Sequence, residues 1–168
     1  MIEVRKASTE DAKTIIFARQ KLWDATYRGI YPDEMIDDFD WDWHLEAEKR
    51  RLSNPNFHCC IVLDDDNCIG YVSYGTVRTG LWKDFSFRLH SLYLLPAYQG
   101  AGLGKRLFMV AQKACKEMGY DKMFLDCHPK NYNALGFYQH MGGTITHVDA
   151  GHENPQEDSC TIEYIFNE

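Results

Sequence analysis

The chain has 168 residues, a formal net charge of −7, 45% hydrophobic and 14% aromatic residues. That length fits one domain with one core, so residues 1–168 are read as a single unit. The acid excess argues against a surface that coats nucleic acid, which needs surplus Lys and Arg, and no apolar run approaches the ~20 residues that span a bilayer.

The charged start, Met-Ile-Glu-Val-Arg-Lys, lacks a signal-peptide core, and a cytoplasmic location is expected. Ile2 to Lys6 alternate and predict a strand. Ser8 then reads as a helix N-cap, and the apolar stripe Ile15, Ile16, Ala18, Leu22 and Trp23 carries a helix to about Tyr27. Gly29 and Pro32 break it. Asp33 to Phe39 and Trp41 to Leu52 predict two short helices with acidic starts. Phe57 to Leu63 and Cys68 to Val77 flank the turn Asp64 to Asn67 and predict a hairpin. A long strand, Phe85 to Leu95, ends at Pro96.

Beyond a glycine-rich loop, Leu103, Leu107, Phe108, Ala111, Ala114, Cys115 and Met118 recur at helical spacing, with Gly119 at C′. Lys122 to Cys127 predicts a strand. Pro129 and Asn131 open a short helix that Gly142 closes, and strands follow near Thr144 to Val148 and Cys160 to Phe166. The sum is an α/β domain with a mixed sheet, in which strand-helix-strand units flank the glycine loop.

The six cysteines (Cys59, Cys60, Cys68, Cys115, Cys127 and Cys160) form no C-x-x-C pair and are expected as free thiols. Adjacent Cys59 and Cys60 should point to opposite faces of their strand. The histidines show no ligand spacing, so no metal site is expected.

The loop Tyr98 to Arg106 reads Y-Q-G-A-G-L-G-K-R. A P-loop would need glycine where Gln99 stands and Ser or Thr where Arg106 stands. A Rossmann fingerprint would need glycine where Lys105 stands. Both patterns fail. The shared physics remains: glycines leave backbone N–H groups open at a helix N-terminus, and Lys105 and Arg106 add charge. That suits a pyrophosphate without a metal. The plain alternative is a strand-to-helix turn that merely needs glycine.

The block L-Y-L-L-P-A-Y-Q-G-A-G-L-G-K-R-L resembles motif A of the GNAT superfamily of N-acetyltransferases, whose loop signature is Gln/Arg-x-x-Gly-x-Gly/Ala, matched by Gln99, Gly102 and Gly104. N-Y-N-A-L-G-F-Y-Q-H-M-G, from Asn131 to Gly142, is similar to a second family block. Trp23 to Pro32 resembles the end of the first helix in many members. The resemblance implies a GNAT-type acyl-CoA N-acyltransferase fold, with a central mixed sheet of about six to seven strands flanked by helices. It also implies acetyl-CoA as cosubstrate and acetyl transfer to a primary amine.

Carried over residue by residue, backbone amides of Gly100, Ala101, Gly102, Leu103, Gly104 and Lys105 would hold the coenzyme A pyrophosphate. Leu92, Tyr93 and Leu94 would hydrogen-bond the pantetheine arm, and one strand amide, such as that of Leu94, would polarise the thioester carbonyl. Asn131 would contact the cofactor arm, a role compatible with an N-cap. Tyr138 would protonate the departing thiolate.

Two departures stand out. Where many members carry a strand glutamate as base, this chain has Arg88, which cannot serve. His90, two residues on, is the local candidate for a catalytic base; packing or solvent exposure is its other reading. The family's frequent Gly-Phe after the last helix is Gly142-Gly143, which puts local packing and acceptor access in question. The acceptor is expected to be a small-molecule amine, polyamine-like, or a peptide amine. The acidic cluster Asp33, Glu34, Asp37, Asp38, Asp40 and Asp42, interleaved with Tyr27, Tyr31, Phe39, Trp41 and Trp43, reads as the border of an acceptor pocket or as a solvated face. The competing function is a non-catalytic acyl-CoA-binding module. Neither a nucleic acid nor a membrane partner is expected, and the resemblance is compatible with a homodimer.

Overall fold

The alternating segments become strands β1 (Ile2–Lys6), β2 (Phe57–Asp64), β3 (Asn67–Thr76), β4 (Phe87–Leu94), β5 (Lys122–Cys127), β6 (Thr144–Asp149) and β7 (Ser159–Ile165). The helices are α1 (Ala12–Tyr27), α2 (Asp33–Asp37), α3 (Trp41–Ser53), α4 (Leu103–Glu117) and α5 (Tyr132–His140). This computed structural model describes residues 1–166, and the strands form one seven-stranded sheet in the order β1-β2-β3-β4-β5-β7-β6. β1 to β4 are antiparallel neighbours, as are β5, β7 and β6, and β4 and β5 run parallel between the two sets. β4 stops at Leu94 because Pro96, with no N–H to donate, opens a single 3-10 turn, Pro96–Tyr98.

Alternation along the strands splits the core in two. Leu107, Phe108 and Ala111 of α4 pack on Val72, Phe87, Leu89 and Leu125. Ile15, Ala18 and Leu22 of α1 pack on Cys59, Ile61 and Tyr71. Cys59 joins the second cluster and Cys60 packs against the first, so the two adjacent thiols do face opposite ways.

Two features of β4 shape the site. Ser73 of β3 faces Ser91 while the next residue, Tyr74, faces Leu89, so His90 is an extra residue in a β-bulge. The bulge resets the alternation: Phe87 and Leu89 share the α4 face with Leu92 and Leu94, while Tyr93 packs on the α1 side. Beyond the bulge, β4 also leaves β5. Their pairing is limited to Arg88 opposite Phe124, and the strands then splay.

Gly143 explains how the chain manages without the expected phenylalanine. A Cβ there would lie 2.5 Å from Ile162 and 2.7 Å from the Tyr164 ring. Tyr164 fills the space instead, and its hydroxyl donates to the Tyr138 carbonyl at 2.6 Å.

Two histidines make the fold acid-sensitive. Burial, with Arg19 and Arg51 adding to it, lowers His44 to about 4; burial, with Arg88 and Arg51, lowers His90 to about 4. The unfolded imidazoles would titrate near 6.5, so the unfolded chain binds more protons below that pH. Stability is therefore expected to be complete above about pH 6.5 and to fall towards pH 4. Urea midpoints between pH 6.5 and 5, where most carboxylates stay ionised, check this, and a flat profile there would contradict it.

Candidate active site

The splay of β4 from β5 leaves one side of β4 without a strand partner. The Leu95 N–H donates to Ile69 across the β3 pairing, and in an antiparallel strand the direction alternates. Leu92 and Leu94 therefore turn their backbone groups into the gap. The Leu94 carbonyl is taken by the Gln99 side-chain amide at 2.8 Å, and Asn133 donates to Gln99 Oε1 at 3.2 Å. Gln99 thus pins the strand end to the turn that follows it.

That turn is built from left-handed glycines. Gly100 and Gly102 both have φ of 85°, and a Cβ at either would meet nothing within 4 Å. Gly102 is the N-cap of α4 and has no side chain to satisfy the first-turn N–H groups. These donors, with the positive end of the helix and the adjacent Lys105, form an anion cradle. Gly104 faces α5, where a Cβ would meet the Phe137 ring at 3.4 Å, an ordinary contact. Asn131 caps α5, its Oδ1 accepting from the Ala134 N–H at 3.3 Å.

One cavity of about 640 Å³ runs through these parts. Its wall includes Leu92, Tyr93, Leu94, Gln99, Gly100, Gly102, Gly104, Lys105, Asn131, Tyr138 and His90. Ala101 and Leu103 belong to the same turn but not to the wall; Leu103 packs on the core beneath α4. Tyr138 is 6% exposed, and burial holds its phenol well above the ordinary tyrosine value, so it is protonated at neutral pH. His90 is half-buried against Phe57, ring centroids 5.4 Å apart. Arg88 does not line the cavity; it pairs with Asp126, which does, at 3.1 Å and lies over the Phe124 ring.

The far end of the cavity comes from segments that carry no motif. Tyr27 stacks on Tyr31 with centroids 4.5 Å apart, and its hydroxyl lies 2.7 Å from that of Tyr93. Asp126, Cys127 and His128 arrive at the end of β5, and Gln156 and Asp158 on the loop before β7. The backbone N–H of His152 donates to Asp158 and holds its carboxyl below the usual range. Both ring nitrogens of His128 are engaged: Lys130 N–H donates to its Nδ1 at 3.1 Å, and its Nε2–H donates to the Pro155 carbonyl at 2.9 Å. Burial pushes the Cys127 thiol up to about 12, which leaves it inert. The sequence offered only one signal for this end, the aromatic residues Tyr27 and Tyr31.

The acidic cluster is not part of the wall. Arg28 gathers Asp24, Asp33 and Asp37 at 2.8 to 3.1 Å, and Asp40 caps α3 by accepting from the Trp43 N–H. Of the two readings left open for these residues, the solvated face is the one the structure has. Of the carboxylates in the wall, Asp126 is already paired with Arg88 and accepts from Thr161, which leaves Asp158 as the one without a Lys or Arg partner among the described residues.

The sequence profile of the acetyltransferase (GNAT) family matches residues 17–143. The spermidine N(1)-acetyltransferase of Thermoplasma acidophilum is 30% identical over 157 residues, covering 88% of this chain and 91% of that one. Among solved structures, the PaiA N-acetyltransferase of Thermoplasma acidophilum in complex with coenzyme A superposes with a TM-score of 0.79 at 27% identity, over 99% of each chain. An aminoglycoside N-acetyltransferase in complex with coenzyme A shares the fold, with a TM-score of 0.70 at 18% identity over 92% of this chain and 95% of that one.

Proposed function

The chain belongs to the acetyltransferase (GNAT) family and is an acetyl-CoA-dependent N-acetyltransferase; we propose that its acceptor is a small cationic amine of diamine or polyamine type, acetylated by direct attack in a ternary complex. The observation that carries this reading is the continuity of one cavity, from the glycine turn along the open edge of β4 to a vestibule of tyrosines and carboxylates. An ammonium group suits such a vestibule, because aromatic faces and carboxylates both attract cations. The name of the Thermoplasma relative, a spermidine acetyltransferase, supports the same class.

The residues fit coenzyme A. Open left-handed glycines and uncapped helix N–H groups suit a pyrophosphate, and Lys105 adds a full charge. Leu92 and Leu94, turned into the gap, suit an extended amide-bearing arm. When bound, acetyl-CoA supplies an activated acyl carbon and a thiol leaving group. Tyr138 would donate its proton to the departing sulfur, the proton shed by the amine nitrogen to solvent would balance the later reprotonation of the phenolate, and the Asn131 side chain would border the arm.

His90 takes a limited part. Burial and the charges of Arg88 and Arg51 keep its imidazole neutral, with a value of about 4. Such a group accepts a hydrogen bond from the incoming amine but stores its proton poorly. The free amine is then the reactive form, and kcat/KM is expected to climb with pH along the amine's own ionisation. An inflection near pH 6.5 that disappears in His90→Gln would instead make the histidine the base.

An amine panel with acetyl-CoA, read by thiol release, tests the acceptor. Diamines and polyamines are expected to turn over with the lowest KM. Turnover confined to amines without a second cation would overturn the acceptor class. Saturable coenzyme A binding with no thiol release from any amine would favour a non-catalytic binding module.

A further inference from the structure

The two nitrogens of a diamine need opposite treatment. The one that attacks the acetyl carbon must be free of its proton, and the other stays an ammonium at neutral pH. A neighbouring carboxylate favours the charged form of an amine, whereas burial and neighbouring cations favour the neutral form. The main cavity keeps these environments apart. Lys105 and the start of α4 put positive charge at the glycine turn. Along β4, His90 is kept neutral by burial and by Arg88 and Arg51. Asp126 is already answered, by Arg88 at 3.1 Å and by the Thr161 hydroxyl at 2.9 Å.

Asp158 stands at the other end. It is half-buried, lines the cavity together with Tyr31, His128 and Gln156, and has no Lys or Arg partner among the described residues. Its place is set without a ligand. The His152 N–H donates to its Oδ1 at 3.0 Å, and its own N–H donates to the Pro155 carbonyl at 3.2 Å. That carbonyl also accepts from the His128 ring at 2.9 Å, which ties the loop to the end of β5. On the outer side the His152 ring spans Asp149 at 2.7 Å and Glu157 at 3.5 Å. A carboxylate has about four acceptor positions, so these bonds leave room for a donor from the cavity. A group held in this way binds a cation with little further ordering.

We propose that Asp158 selects the acceptor by binding its second, non-reacting ammonium, while the reacting nitrogen lies by His90 and Tyr138. This rests on the diamine or polyamine acceptor proposed above, and it adds the residue that tells such an acceptor from a simple alkylamine. The charges then sort the two nitrogens. The one at Asp158 keeps its proton and is unreactive, and the one beside neutral His90 is the one able to attack. An alkylamine has one nitrogen for both places, and at Asp158 that nitrogen is held away from the acetyl carbon.

The test compares diaminobutane with butylamine, equal in length and different by one ammonium, by thiol release from acetyl-CoA in wild type and Asp158→Asn. Asparagine still accepts from the His152 N–H, so the loop is kept, and the melting midpoint checks this. Wild type is expected to prefer the diamine. The ratio of the two kcat/KM values is expected to fall about tenfold in Asp158→Asn, through the diamine KM, as for loss of a charge-assisted hydrogen bond. A ratio equal to wild type overturns the assignment. So does an equal fall for both amines, which a role in holding the loop would give. If the wild-type preference for diaminobutane stands in either case, the proposed acceptor class survives without Asp158. A wild type that acetylates butylamine as well as diaminobutane, or acetylates neither, overturns both readings.

Discussion

Replacing Tyr138 by phenylalanine is expected to lower turnover about 10²-fold while leaving acetyl-CoA affinity unchanged. The phenol lies on α5 at the wall of the main cavity and is 6% exposed. Burial holds it well above the ordinary tyrosine value, so it enters the reaction protonated. A raised value would make it a poorer acid in water, but a thiolate leaving into the same apolar wall suffers the same desolvation. Proton transfer between them exchanges one buried anion for another, and the difference between the two acids stays small. The Tyr138 ring packs in the α4-side core and its backbone carbonyl holds the Tyr164 hydroxyl, and phenylalanine preserves both contacts. The variant should therefore fold with an unchanged melting midpoint. Turnover equal to wild type would remove Tyr138 from the chemistry.

Gly102→Val is expected to act on the cofactor rather than on the chemistry. With φ of 85°, Gly102 sits where a side chain costs about 1–2 kcal/mol, and a β-branched one more. Nothing lies within 4 Å of the position its Cβ would take, so the cost is local backbone strain in the turn rather than a clash with the core. That open space is also the approach to the uncapped N–H groups of α4. A branched side chain there should weaken acetyl-CoA binding by at least about tenfold, as for one lost charge-assisted contact, with kcat at saturation largely kept. A calorimetric titration with coenzyme A checks it. Unaltered affinity would move the pyrophosphate away from this turn.

Local chemistry made most of the fold and half of the site readable. Gln99, Gly102, Asn131 and Tyr138 lie in two short blocks whose roles depend on neighbours a few residues away, so their spacing carries the information. The bulge at His90 does not depend on near neighbours. It arises from the way Ser73 and Tyr74 of β3 pair with β4, and nothing in F-R-L-H-S-L-Y-L alone announces it. Asp126, Gln156 and Asp158 likewise meet Tyr27 and Tyr31 only because β5 and the loop before β7 reach the same end of the sheet. The run from Asp33 to Asp42 misled in the opposite direction. Its charge density is a sequence fact, but Arg28, lying in the turn after α1, binds two of those carboxylates outside the cavity.

The central claim, acetyl transfer by direct attack on acetyl-CoA in a ternary complex, has a direct test in acetyl-labelled cosubstrate. Protein is mixed with the label alone, with a diamine alone, and with both, then quenched and separated. The account predicts label on the diamine only when both substrates are present, and none on the protein at any time. Label retained on the protein without the amine, or no labelled amine from any diamine or polyamine, would contradict it.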